Sequence, residues 1–281
     1  MDVFYSPQYE LELPGHIWPT SKYRLIAERL PPSTCSEPAA ASWDELALVH
    51  STEYLEKLRT STLTTDEIAT LELPWAPAMA DRFRLMVGGT CMAAAAALAD
   101  GRAAHIGGGL HHAFASHGEG FCPLNDVAVA IRSVQAGSTR FARSGQPPIR
   151  RAAVVDADVF TCSIHQQHNY PLFKPRSDLD IGLEDGADDD RYLTALAGAL
   201  PRVMTHRPEL IVYLAGADPF AGDRLGGLAV SKAGLAERDR MVVDAARGAG
   251  VPVVVVLGGG YAADVLDTVD IHVATIHALM S

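Results

Sequence analysis

The sequence predicts an α/β fold, a three-layer sandwich in one domain over residues 1–281, with a mostly parallel central sheet. Three continuous apolar runs, at 152–159, 210–215 and 251–257, have the length and composition of strands buried on both faces of a parallel sheet. Helical spacing over residues 189–202 and 231–248 separates these strands, and residues 82–100 form an alanine-rich helix that ends at a glycine. Alternating strands and helices are typical of βαβ units with helices on both faces of the sheet.

Composition excludes several classes of function. The formal net charge of −11 argues against a nucleic-acid partner, which would require a basic face, and is compatible with cationic substrates. The four cysteines lie far apart with no C-x-x-C pair, as expected for reduced thiols of a cytoplasmic protein. The N-terminal residues have neither a basic region nor an apolar run, so we expect no signal peptide and no membrane partner.

Polar residues follow the end of each predicted strand. Asp156 and Asp158 follow the apolar residues 152–155 within the first run, Asp218 follows the second run, and a Gly-Gly-Gly-Tyr segment at 258–261 follows the third. Because sites in open parallel sheets form at the carboxyl ends of strands, these residues predict one shared pocket.

The segment 107–113, Gly-Gly-Gly-Leu-His-His-Ala, presents two adjacent histidines on a glycine run. Glycines let the backbone approach a ligand closely, but adjacent side chains point in different directions. His111 and His112 can therefore meet one ligand only on an irregular loop. By itself the pair is weak evidence, because histidine is often a satisfied core or loop residue.

Two acids on one face of a buried strand are costly unless they are paired or bound to a metal. Asp156 and Asp158 have this i, i+2 spacing, which favours function over a structural salt bridge. Aspartate and histidine ligands together suit zinc with an open position, although such clusters also hold manganese or iron.

Tyr261 can donate a hydrogen bond to an oxyanion, or simply pack in its loop. Phe121 can line an apolar channel, or pack in the core.

Together these motifs resemble the histone deacetylase family, within the arginase/deacetylase fold, and its class IV-like and bacterial members. The resemblance covers nearly the whole chain. Its most specific segments are GGGLHHA at 107–113, GFCPLND at 120–126, DAD at 156–158, LAGADPFAGDRLGG at 214–227 and LGGGY at 257–261.

The resemblance implies a zinc-dependent deacetylase acting on acetyl-lysine or a related acetylated amine. Zinc would polarise the amide carbonyl and activate a water, a histidine would take its proton, and a tyrosine would stabilise the oxyanion. The resemblance implies that His111 and His112 handle the proton, that Asp158 and Asp218 bind zinc, and that Tyr261 binds the oxyanion. It implies that Asp156 orients the first histidine and helps to hold a potassium ion, with Ser163 and Ile164 in the potassium shell. Phe121 and Gly120 would line the substrate channel.

The chain departs from the family pattern after Val159. Relatives continue Asp-x-His and then a glycine-rich loop and a helix, whereas here residues 160–165 match the following strand directly. The third zinc ligand and the partner of His112 are therefore absent. Neighbouring parallel strands normally need a crossover of about a dozen residues. Residues 152–159 and 160–165 either fuse into one long strand, or the fold breaks locally between them, or the chain omits a segment there.

The departure leaves alternatives open. We expect severely impaired zinc affinity and deacetylation, with His165 or His168 as poor substitutes for the missing ligand. A second hypothesis is a catalytically impaired deacetylase fold acting as a binding or scaffold module. A third, a manganese ureohydrolase of the same fold, is disfavoured because the glycine-rich motifs follow the deacetylase pattern.

Overall fold

A computed structural model describes residues 1–137, 141, 147–155, 160–170 and 176–281. The strands are β1 Asp2–Phe4, β2 Cys35–Ser36, β3 Arg102–His105, β4 Ala152–Val155, β5 Phe160–Gln166, β6 Leu179–Leu183, β7 Leu210–Leu214 and β8 Val253–Val256. The helices are α1 Ser21–Glu28, α2 Trp43–Leu46, α3 Thr52–Thr60, α4 Thr65–Leu71, α5 Met79–Asp100, α6 Asp126–Ala136, α7 Asp189–Thr205, α8 Lys232–Ala249 and α9 Val265–Met280, with a 3-10 turn at Pro7–Tyr9.

The strands form one eight-stranded sheet in the order β2-β1-β3-β8-β7-β4-β5-β6, flanked by helices. Every pairing between these strands is parallel, so their carboxyl ends lie at one edge. The predicted fold class is confirmed. The observed strands β7 and β8 are shorter than the apolar runs that predicted them, because residues at the ends of a run need not pair.

The predicted helices are confirmed, and local capping sets their ends. Helix α5 ends at Gly101 and α8 ends at Gly250, and both glycines adopt positive φ angles, of 84° and 66°. Ser231 precedes α8 and accepts a hydrogen bond from the backbone of Gly234.

Helix α5 is the central helix of the core. It is long and apolar enough to cross a membrane by length and composition, but 72% of its most apolar stretch is buried inside the protein. It packs on β1, β3, β7 and β8 and against α6. These contacts are those of a core helix.

The connection between β4 and β5 departs from expectation. Ala153 pairs with Phe160 and Val154 with Thr161, so the two strands are separate parallel neighbours. The expectation that they fuse into one long strand is therefore wrong. Only residues 156–159 link them, where a parallel connection normally takes about a dozen. Asp156 and Asp158 fall within this link and lie outside the described residues.

Two helix glycines differ in the space around them, and this difference predicts opposite effects on stability. A Cβ on Gly88 of α5 would lie 1.9 Å from the carbonyl oxygen of Ala39, whereas a Cβ on Gly198 of α7 would meet nothing within 4 Å. We expect Gly88→Ala to lower the free energy of unfolding by about 1–3 kcal/mol through overpacking. Gly198→Ala should raise it by about 0.5–1 kcal/mol, because alanine restricts the unfolded chain.

Urea denaturation of both variants measures the two effects side by side. The packing described for α5 would be wrong if Gly88→Ala were as stable as the native chain.

Candidate active site

Three strand-end loops surround one cavity of about 960 Å³. The loop after β3 brings His111 and His112, the loop after β7 brings Asp218, and the loop after β8 brings Tyr261. These loops come together because β3, β8 and β7 are adjacent in the sheet and parallel. Strand β4 is next in the order and parallel to β7, so its carboxyl end lies at the same edge.

Glycines let these loops approach one another. A Cβ on Gly109, whose φ is +87°, would lie 2.7 Å from the Cα of Gly258, so the loops after β3 and β8 touch backbone to backbone. A Cβ on Gly216 would lie 2.4 Å from Oδ1 of Asp218. The glycines therefore leave the space that the Asp218 carboxylate occupies.

The two histidines are half-buried, and their ring centroids lie 4.1 Å apart on an irregular loop. The Nδ1 atom of His111 lies 3.0 Å from the carbonyl oxygen of Gly109. Since a carbonyl only accepts, Nδ1 is the donor. Burial, with a contribution from His111, lowers the pKa of His112 to about 3. His112 is therefore neutral at neutral pH and a weak base.

An aromatic wall lines one side of the cavity. The ring of Phe121 lies 6.0 Å from that of Tyr261 in an edge-to-face arrangement and is stacked 6.3 Å from that of Trp18. The φ of Phe121 is +68°, a strained conformation for an aromatic residue and one that is frequent at functional sites. Gly120 lies against the ring of His112, since a Cβ on Gly120 would lie 3.3 Å from the Cγ of His112.

Tyr261 is held through its backbone. Its N–H donates to Oδ2 of Asp223 over 2.6 Å, and the same carboxylate accepts from the backbones of Leu225 and Gly226. Burial raises the pKa of the Tyr261 phenol well above its usual value. The phenol therefore keeps its proton and can act as a hydrogen-bond donor.

Lys22 is a buried cation beside this loop, 1% exposed. Its Nζ donates to the carbonyl oxygen of Gly258 over 3.0 Å and lies 5.7 Å from the centroid of the Tyr261 ring. Burial lowers the pKa of Lys22 to about 8, against the opposing effect of Asp218 and Asp223. Buried lysines with lowered pKa values cluster at functional sites. No spacing in the sequence singles out this residue for such a role.

The residues implied for a potassium shell lie on β5. Ser163 and Ile164 both line the cavity, and the hydroxyl of Ser163 lies 2.7 Å from Nδ1 of His165. His168 is exposed. Within the described part of the chain, no three His, Cys, Asp or Glu side chains converge closely enough to hold a metal ion. Of the two implied zinc ligands, Asp218 is described and Asp158 is not.

Two further residues that sequence reasoning missed anchor the histidine loop. The Asn125 side chain donates to the carbonyl oxygens of His111 and Ala113 over 3.0 and 3.2 Å, and Asp126 accepts from the backbones of Gly109 and Leu110. The position of Asn125 before a helix was a readable signal, since asparagine is a favoured N-cap. The complete burial of Asp126 was not readable from the sequence.

The model of the histone deacetylase domain matches residues 19–276. An uncharacterized protein of Picosynechococcus sp. is 37% identical over 294 residues, which span 96% of this chain and 95% of the relative. Histone deacetylase 2 of Arabidopsis thaliana is 30% identical over 297 residues, with 93% of this chain and 74% of the relative covered. In the first comparison the aligned length exceeds the whole 281-residue chain, so the relative has residues that face gaps in this chain.

The fold comparison agrees. The crystal structure of a histone deacetylase homologue from Aquifex aeolicus superposes with a TM-score of 0.81 at 22% identity, over 99% of this chain and 84% of the other. The likeness shows the arginase/deacetylase fold, and the domain match shows the family. The chain belongs to the histone deacetylase family.

Proposed function

We propose that this chain carries the substrate pocket of a metal-dependent deacetylase that acts on acetyl-lysine or a related acetylated amine. The observation that carries the proposal is the grouping of His111, His112, Phe121 and Tyr261 around one cavity. Membership of the deacetylase family supports the same reaction class.

Three of these side chains would each have a part in amide hydrolysis. His111 donates through Nδ1 to the carbonyl oxygen of Gly109, and Nε2 would be the nitrogen that handles the proton of the attacking water. Tyr261, which keeps its phenol proton, would donate to the oxyanion formed from the amide carbonyl. Phe121 would enclose the apolar part of the substrate and exclude water from it. The net charge of −11 favours the approach of cationic substrates.

Zinc, when bound, would supply a Lewis acid for the amide carbonyl. Asp218 would be one ligand, with Asp158, while Asp156, Ser163 and Ile164 would contribute to a potassium site. The described residues do not form a complete metal site, and two carboxylates alone bind zinc poorly. Burial lowers the pKa of His112 to about 3, which makes it a weak base. We therefore propose that hydrolysis by this chain is strongly impaired.

A second candidate is a deacetylase fold that binds an acetylated partner without turnover. The observation in its favour is the four-residue link between β4 and β5, where the resemblance implies a crossover with a zinc ligand. Both candidates bind an acetylated ligand, but only the first hydrolyses it.

The proposed pocket predicts selective binding of acetylated amines. We expect an acetyl-lysine peptide to bind more tightly than its unacetylated form, measured by titration calorimetry. Any zinc-dependent acetate release should fall by about 10²–10³-fold in Tyr261→Phe with binding retained, because one oxyanion donor is lost. Tyr5→Phe, which removes a phenol that does not line the cavity, is the matched control. Binding with no release would support the second candidate, and equal affinity for both peptides would contradict the pocket.

The absent ligand predicts weak zinc binding. Competition with a chromophoric chelator should show affinity far below that of a complete three-ligand site, and Asp218→Ala should weaken it further. Tight binding that His165→Ala abolishes would show that His165 replaces the missing ligand, contrary to this expectation. His206→Ala provides the control for the loss of a histidine elsewhere on the protein.

The buried cation beside Tyr261 predicts a pH dependence of stability. Between about pH 8 and pH 10.5 the unfolded Lys22 keeps its proton while the folded Lys22 has lost it, so the free energy of unfolding rises with pH. Across this window, the native chain should gain about 2–3 kcal/mol relative to Lys22→Met.

Urea denaturation at several pH values measures the difference. Lys57→Met is the control, since the surface pair with Glu67 raises the pKa of Lys57 and should give no such rise. A flat difference for Lys22→Met would mean that Lys22 is hydrated in solution.

A further inference from the structure

Four buried polar side chains form a continuous chain of hydrogen bonds beneath the histidine loop. Tyr9 follows β1, Thr90 lies on α5, His105 ends β3 and Asp126 begins α6, and each is 0% exposed. The Tyr9 hydroxyl lies 2.8 Å from Nε2 of His105, and Nδ1 of His105 lies 2.8 Å from the Thr90 hydroxyl. The Thr90 hydroxyl in turn contacts Oδ2 of Asp126. Four separate parts of the sequence are thus joined by one chain of hydrogen bonds that ends at the carboxylate of Asp126.

The chemistry of the groups gives this chain one direction. The Asp126 carboxylate accepts from two backbone N–H groups, so it serves as an acceptor and the Thr90 hydroxyl donates to it. Thr90 then accepts from His105 Nδ1, which leaves Nε2 to accept from the Tyr9 hydroxyl over 2.8 Å, a shorter contact than the 3.4 Å between that hydroxyl and the carbonyl oxygen of Leu85. Burial lowers the pKa of His105 to about 3 and raises that of Tyr9, so the ring is neutral and the phenol protonated, as this direction requires.

The carboxylate end of the chain holds the backbone that leads into the site. Asp126 accepts from Gly109 over 3.0 Å and from Leu110 over 2.7 Å, directly before His111. Asp126 thus binds the N–H of Gly109, and the carbonyl oxygen of the same residue accepts a hydrogen bond from Nδ1 of His111. A Cβ on Gly108 would lie 2.6 Å from both Asp126 Oδ2 and Thr90 Oγ1, so the backbone lies directly on the chain.

We propose that Tyr9, His105, Thr90 and Asp126 form a directional hydrogen-bond relay that positions the ring of His111 in the active site. Asp126 and Thr90 are positioning residues, since they act through the backbone of residues 109–110 and do not line the cavity. The effect on turnover rests on the proposed function, whereas the effect on the His111 ring does not.

The test uses ring nitrogen signals of nitrogen-15 histidine-labelled protein. In the native chain, His105 should be the neutral Nδ1–H tautomer around neutral pH. Thr90→Val removes the hydroxyl with little change in shape and should shift the His111 ring nitrogens and the amide signals of Gly109 and Leu110. Thr90→Ser keeps the hydroxyl and should restore the native signals.

Thr275→Val is the matched control. Thr275 is also a buried threonine that donates to a buried carboxylate, Asp239, over 2.6 Å, but that network lies between α8 and α9 and reaches Gly216 through Arg238. Thr275→Val should lower the free energy of unfolding about as much as Thr90→Val does and leave the His111 signals unchanged. If Thr275→Val shifts the His111 ring as much as Thr90→Val does, the effect is general loosening and the relay is refuted.

Two further results would overturn the proposal: an Nε2–H tautomer at His105, or a Thr90→Val protein whose His111, Gly109 and Leu110 signals match the native ones. Where acetate release is measurable, Thr90→Val should lower kcat by about 10–100-fold with KM unchanged, and Thr90→Ser should restore it. A chain that binds the acetylated peptide but releases no acetate supports the second candidate function and leaves the nuclear magnetic resonance result to decide the relay.

Discussion

The site depends on the close approach of loops at one edge of a parallel sheet. Parallel strands bring their carboxyl ends together, but loops that carry side chains would hold one another apart. Here Gly109 lies against Gly258, and Gly216 leaves space for the carboxylate of Asp218. The histidines, the aspartate and the tyrosine can therefore face one cavity, because backbone meets backbone where the strands end.

Buried polar groups then hold each loop in place. Asp126 binds the backbone before His111, Asp223 binds the backbone of Tyr261, and Lys22 binds the carbonyl of Gly258. Each group loses hydration on folding, and this cost is offset only when its hydrogen bonds are well formed. Such anchors favour one loop conformation over its alternatives, which is the precision that a reacting site needs.

The link between β4 and β5 is shorter than the crossover that normally joins neighbouring parallel strands. The strands pair in the register of neighbouring parallel strands, although only four residues connect them. The described residues keep the aromatic wall and the paired histidines of the pocket, but among them no complete metal site is formed.

The sequence by itself determined the fold class, the helices α5, α7 and α8, the strands β7 and β8, and the motifs that the site uses. Apolar runs with helical segments between them specify a parallel sheet, and the glycine-rich segments mark the strand ends, because both signals are local. Only the tertiary structure decided that β4 and β5 are neighbours instead of one strand, and that Lys22, Thr90, His105 and Asp126 support the site. These residues come from distant parts of the chain, and a polar residue in the sequence does not reveal whether it is buried or what it contacts. That information arises when the core closes and each buried donor must find an acceptor.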